Sequence, residues 1–169
     1  MRTLYESILD AGFARRNNSI DINAKAGKAL LKTIKSLHPR ITRSDNKIRF
    51  DFASLDDMAH PERATRKIIK TIRKMMDDVQ NSDNFNPSSD AQWTCPTDYF
   101  AACARQEDGQ YIIIVAQNHN SLTNTFWIEV YKTKDEDDAW VNNLMRARWG
   151  TQTSPDTIYA IALYLGLEV

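Results

Sequence analysis

Glycine is scarce: five in 169 residues, none of them clustered, so the chain has no Gly-rich backbone cradle of the kind that holds nucleotide phosphates. Cysteine is scarcer still. Cys95 and Cys103 are too few for a disulfide scaffold and too far apart for a CxxC zinc or redox pair, so both read as reduced structural thiols of a cytosolic setting. The three histidines, His38, His60 and His119, share no i, i+3 or i, i+4 relation, so no helix presents two of them to a metal. Long apolar runs are missing as well. None approaches the ~18 residues of a membrane span, and Glu6 and Asp10 stand where a signal peptide would carry its apolar core. The expectation is a chain that folds in water, is not secreted by a signal peptide, binds no membrane and needs no cofactor.

Catalytic constellations are equally thin. Cys103 and His119 would make a thiol–imidazole pair only if Cys103 left the strand that its surroundings predict, and thiols inside strands are structural. Asp51, Glu129 and Lys132 echo the loose acid, acid, lysine pattern of metal-dependent nucleases. However, Glu129 and Lys132 are three apart on a strand and therefore face opposite ways. Asp135 to Asp138 lacks the glycine and ligand spacing of a calcium loop. No catalytic residue and no metal site are expected.

Charge is abundant and unevenly placed. The net charge is +0, yet up to Met75 there are 17 Lys and Arg against 8 Asp and Glu, and from Met76 onward 5 against 14. Such asymmetry suits a polyanionic partner or the acidic half of another copy; mutual neutralisation inside one folded domain is the plainer alternative. Ten of the 17 cations up to Met75 fall on two segments. In Pro61 to Val79, Ala64, Ile68, Ile69, Ile72, Met75, Met76 and Val79 share one arc of a helix, and Arg63, Arg66, Lys67, Lys70, Arg73 and Lys74 share the opposite one. A second helix, capped by Asn23 and running to about Leu37, sets Leu30, Leu31 and Ile34 against Lys25, Lys28, Lys32 and Lys35. The two align residue class for residue class, KAGKALLKTIKSL from Lys25 with RATRKIIKTIRKM from Arg63. Either they descend from one duplicated unit or two basic amphipathic helices have converged.

The other elements follow from period and punctuation. Thr3 to Ala14 opens with a capping box of Thr3 and Glu6 and reads as the first helix, with Ser19 to Ile22 a short extended connector. Arg40 to Asn46 is a basic turn, and Lys47 to Ala53 alternates as a half-buried strand that can join the edge of a sheet. Gln80 to Thr97 is polar throughout and reads as an arm or linker anchored only by Phe85 and Trp93. Strands at Tyr99 to Gln106 and Gln110 to Gln117 flank Asp108-Gly109, a strong hairpin signal. YIIIV at Tyr111 to Val115 is apolar on both faces and therefore central. Asn124 to Lys132 completes a three-stranded antiparallel meander. A helix from Asp135 to about Trp149 and a last one capped at Ser154 and stopped by Gly166 close the chain. The expectation is one α+β domain in three stretches: a basic, mainly helical half at 1–79, a polar arm at 80–97, and an acidic meander with two C-terminal helices at 98–169.

The opening MRTLYESILD resembles the MKTLYESILD-type start shared by proteins of gut Bacteroidales and of the crAss-like phages that infect them. The resemblance covers ten residues and implies a phage-encoded context, host cytoplasm or virion, in which small non-enzymatic proteins serve as neck, tail or head components. With no catalytic motif, two functions stand. One is a structural assembly protein, a homo-oligomer or a subunit among protein partners, that uses charge-complementary surfaces. The other is an accessory protein that binds nucleic acid without sequence preference through Lys25, Lys28, Lys32, Lys35, Arg40, Arg43, Arg63, Arg66, Lys67, Lys70, Arg73 and Lys74.

Overall fold

A computed structural model describes residues 18–52, 61–81, 87–96, 99–119 and 125–167. The expected helix at Thr3 to Ala14, and Phe85 in the polar stretch, lie outside these residues.

The strand that fixes the architecture is β5 (Tyr111–His119). Ile112 and Ile114 enter one hydrophobic core, Ile113 and Val115 enter another, and none of the four is exposed. A strand apolar on both faces must be covered on both, and β5 stands fourth of seven in the sheet order β1-β2-β6-β5-β4-β3-β7. Its neighbours β4 (Tyr99–Arg105) and β6 (Thr125–Thr133) pair with it antiparallel, as the sequence predicts. At the β4–β5 turn the Asp108 carboxylate accepts the Gln110 N–H at 2.9 Å, and Gly109 donates to the Gln106 carbonyl at 3.0 Å. β2 (Lys47–Phe52) joins the free side of β6, so the predicted meander is the centre of a larger sheet.

Two further strands differ from the reading of the sequence. Arg40 to Ser44, expected as a turn, is β1, paired antiparallel with β2 across the two-residue loop Asp45-Asn46. Part of the supposed polar arm, Ser88 to Thr94, is β3, whose Ala91, Gln92 and Trp93 are buried. β3 lies between β4 and the three-residue β7 (Thr151–Thr153), so its backbone has ladder partners on both sides. That satisfaction, together with the Trp93 anchor, outweighs its poor strand composition.

Helices α1 (Asn18–Ser36) and α2 (Pro61–Gln80) lie with α4 (Pro155–Tyr164) on one face of the sheet. α1 begins a turn earlier than its expected cap at Asn23. Four alternating residues, Ser19 to Ile22, are too few to fix a period, and lengthening an existing helix needs no new nucleus. α1 ends where His38 turns into the left-handed region (φ 48) before Pro39. α1 packs on both α2 and α4, and its approach to α4 is close. A Cβ on Gly27 would stand 2.5 Å from the Tyr164 ring.

The opposite face carries the second core beneath α3 (Ala139–Val141), which runs on as a π-helical turn, Asn142–Arg146. The helix expected from Asp135 is shorter than its charge pattern suggests. The Asp137 N–H bonds back to the Asp135 carboxylate at 2.9 Å and the Asp135 N–H to the Thr133 hydroxyl at 3.0 Å. Such local side-chain bonds hold the backbone in a turn and delay the helix start to Asp138.

Candidate interaction surfaces

Helix period decides which side chains of the helix layer reach solvent. In α2, Ile68, Ile69, Ile72, Met75 and Met76 are buried, while Lys67, Lys70, Arg73 and Lys74 are exposed. In α1, Leu30, Leu31 and Ile34 are buried and Lys28, Lys32 and Lys35 exposed. The sequence match between the helices extends to contacts: Thr33 donates to the Ala29 carbonyl at 2.9 Å, and Thr71, its counterpart, to the Lys67 carbonyl at 2.8 Å. Lys67, Lys70 and Lys74 follow one another along about 10 Å of helix. Arg73 stands 3.9 Å from Asp77. Among the described residues no carboxylate pairs with Lys32, Lys35, Lys67, Lys70 or Lys74. The backbones of Lys25, Arg63 and Arg66 belong to the same two helices; their side chains lie outside the described residues.

The acidic segment occupies the other side of the molecule. Asp135, Glu136 and Asp137 are exposed beside α3, on the sheet face away from α1 and α2. Arg146 pairs with Glu136 and stands 3.7 Å from Asp137. Asp138 has a structural role, accepting the Trp140 N–H at 2.9 Å and the Tyr131 hydroxyl at 3.1 Å, which ties α3 to β6. Burial, reinforced by Asp138, pushes the Tyr131 phenol well above its ordinary value near 10. Because the folded value lies above the unfolded one, the stability this group contributes is complete below about pH 10 and is lost as pH rises beyond it. Tyr131→Phe should cost about 1 kcal/mol at neutral pH and flatten the alkaline decline. Urea midpoints at pH 7 and pH 10.5 test this: an unaltered decline between them would show that Tyr131 is not responsible.

Register also assembles a cluster that sequence reading missed. Lys47, Arg49 and Asp51 alternate on β2 opposite Tyr131, Glu129 and Trp127 of β6, so all six share one sheet face. Arg49 donates to Glu129 at 2.8 Å and to Asp51 at 2.9 Å, and its guanidinium lies 4.9 Å from the Trp127 ring centre. Lys47 lies 5.1 Å from the Tyr131 ring centre and 3.7 Å from Glu129. The alternation was visible in KIRFDF and FWIEVYK, but the pairing of β2 with β6 was needed to bring the charges together. Asp51 and Glu129 therefore both pair with Arg49, and Lys47 beside Glu129 supplies the second positive charge that balances the two carboxylates. Among the described residues no three His, Cys, Asp or Glu side chains converge to hold a metal ion.

The thiols are apart and subdued. Cys103 is buried in β4, and burial with nearby Asp138 pushes its thiol far up; Cys95 is half-buried and shifted upward by burial as well. A thiol held in the protonated form is a poor nucleophile. Among the described residues no helix is long and apolar enough to cross a membrane.

What fold and surface define is an α+β protein with a seven-stranded antiparallel sheet and charged patches on its two sides. No protein-family model matches the chain, and neither a curated protein nor a solved structure matches it.

Proposed function

We propose that this protein is a non-enzymatic assembly component that associates head to tail. The cationic outer surface of the basic amphipathic helices α1 and α2 meets the acidic Asp135–Asp138 side of the next copy or of a larger partner. The observation that carries this reading is the separation of the two patches by the sheet: Lys32, Lys35, Lys67, Lys70 and Lys74 lie on one side and Asp135 to Asp137 on the other. Patches on opposite sides cannot neutralise each other within one copy, and contacts between unlike faces build rings or filaments. The resemblance of Met1 to Asp10 to phage and Bacteroidales proteins adds the setting to the proposal, a neck, tail or head-associated role in a virion.

A second reading has its own support. Five lysines without a carboxylate partner among the described residues also suit phosphate, and this alternative makes the protein a nucleic-acid-binding accessory factor. Neutralising five phosphates would weaken binding about 10²–10³-fold between 50 and 200 mM salt.

The test is sedimentation velocity of the wild type and of the combined Lys67→Glu, Lys70→Glu, Lys74→Glu variant, with and without a short labelled duplex. Assembly predicts self-association at low salt that the variant loses while its circular dichroism is unchanged. Self-association equal in both proteins would sink that reading, and salt-sensitive sedimentation with the duplex alone would favour the phosphate one.

A further inference from the structure

The longer of the two sheet edges, β1, has an orientation that can be read from one hydrogen bond. Lys132 donates its N–H to the Asn46 carbonyl at 2.8 Å, and the Asn46 side chain returns a bond to the Lys132 carbonyl at 3.3 Å. Asn46 and Lys132 thus form a hydrogen-bonded pair, and by the alternation of antiparallel ladders Ile48, Phe50 and Phe52 also point their backbone groups toward β6. Lys47, Arg49 and Asp51 then point theirs toward β1, where they meet Ser44, Thr42 and Arg40. It follows that the N–H and C=O of Ile41 and Arg43 are directed away from the sheet, toward an edge with no partner strand among the described residues.

The side chains around these groups do not have the pattern of a closed edge. All five residues of β1 are exposed, and Ile41, at 47% accessibility, is the most exposed large hydrophobic among the described residues. Arg43 shares the helix-side face with Ile41, its guanidinium beside Gly166, whereas Arg40 lies on the opposite face across from Asp51; no described carboxylate forms an ion pair with either. The strand is also held firmly: its partner β2 buries Ile48, Phe50 and Phe52, and the loop is tied to β6 at Asn46. A rigid edge with outward-facing donors, an exposed isoleucine and one cation on each face is an incomplete ladder.

We propose that β1 is a docking strand for an extended acidic peptide segment of a partner protein, which adds antiparallel to the sheet as an eighth strand. Its backbone bonds to Ile41 and Arg43. Reading the partner from its N-terminus, an acidic residue stands opposite Arg43, any residue opposite Thr42, an apolar one opposite Ile41 and a second acid opposite Arg40. The apolar residue covers Ile41 on the helix side of the sheet, and the carboxylates meet the two guanidinium groups. Arginine alone on an edge would serve to repel other strands; the exposed isoleucine between outward-facing backbone groups is what favours a partner.

Fluorescence anisotropy with a labelled ten-residue peptide, Glu-Thr-Val-Glu at its centre and Ser on either side, tests the site on the full chain. The expected result is binding at least ten-fold tighter than that of the Ser-Thr-Val-Ser counterpart. Ile41→Pro removes an outward N–H that β2 does not use, so it should leave the fold intact and weaken the peptide at least ten-fold. Arg40→Glu should reverse the preference toward a Ser-Thr-Val-Lys version. Equal binding of the acidic and neutral peptides, or undiminished binding by a folded Ile41→Pro variant, overturns the proposal. So does loss of self-association in Ile41→Pro with no effect on peptide, which would make a second copy the occupant. None of these substitutions touches Lys67, Lys70 or Lys74, so the edge and the helix surface stand or fall separately.

Discussion

Gly150→Ala should destabilise the protein by about 4 kcal/mol, the sum of backbone strain and a steric collision. Gly150 sits at φ 113, where a side chain is strained, and a Cβ there would lie 2.5 Å from the Trp93 carbonyl oxygen. That oxygen belongs to the backbone of β3, which is paired on both sides, so it cannot move aside as the tip of a flexible side chain would. Gly109→Ala is the control. Its φ of 84 is also left-handed, but nothing lies within 4 Å of the new Cβ, so only the conformational cost of about 1 kcal/mol is expected. Urea denaturation of both variants measures the difference, and equal losses would refute the collision as the main cause of the Gly150→Ala loss.

Phe100→Ala should cost about 3–5 kcal/mol, the range for emptying a large aromatic site in a packed core. Phe100 has no exposed surface and meets the Trp93 ring at a centroid distance of 6.2 Å on the helix face of the sheet. Its neighbours across the ladder and along the strand are Ala116 and Ala102, which have no side-chain length with which to fill the void. Truncation at the exposed edge, Ile41→Ala, should cost less than about 0.5 kcal/mol. A thermal melt of each variant decides it; a loss below about 1 kcal/mol for Phe100→Ala would mean that the helix layer collapses into the space.

The Tyr99–Gln117 hairpin and the central place of β5 were legible in the sequence, because Asp108-Gly109 fixes the turn and a run apolar on both faces requires cover on both. The last helix was legible from Pro155 and Gly166. β3 was not: Ser88 to Thr94 holds only Ala91 and Trp93 as apolar residues, and its place depends on ladders to β4 and β7 that local sequence does not encode. β1 was missed for a related reason, since a strand exposed along its length has no buried face to impose alternation. The lysines of α1 and α2 were recognisable by period, whereas Arg49 and its carboxylates became a cluster only through register.

The chain order of the sheet has a consequence for how the protein is made. β2 must pair with β6, and Arg49 meets Glu129 across a separation of 80 residues. At roughly 5–20 residues per second, the ribosome needs about 4–16 s to deliver that partner. The β1–β2 hairpin closes in microseconds but is marginally stable alone, so throughout the interval it would open and close without β6 and leave Ile48, Phe50 and Phe52 uncovered. The nascent N-terminal half, rich in lysine and arginine, therefore waits on the ribosome incomplete. Charge repulsion between such halves on neighbouring ribosomes would keep them apart until β6 arrives.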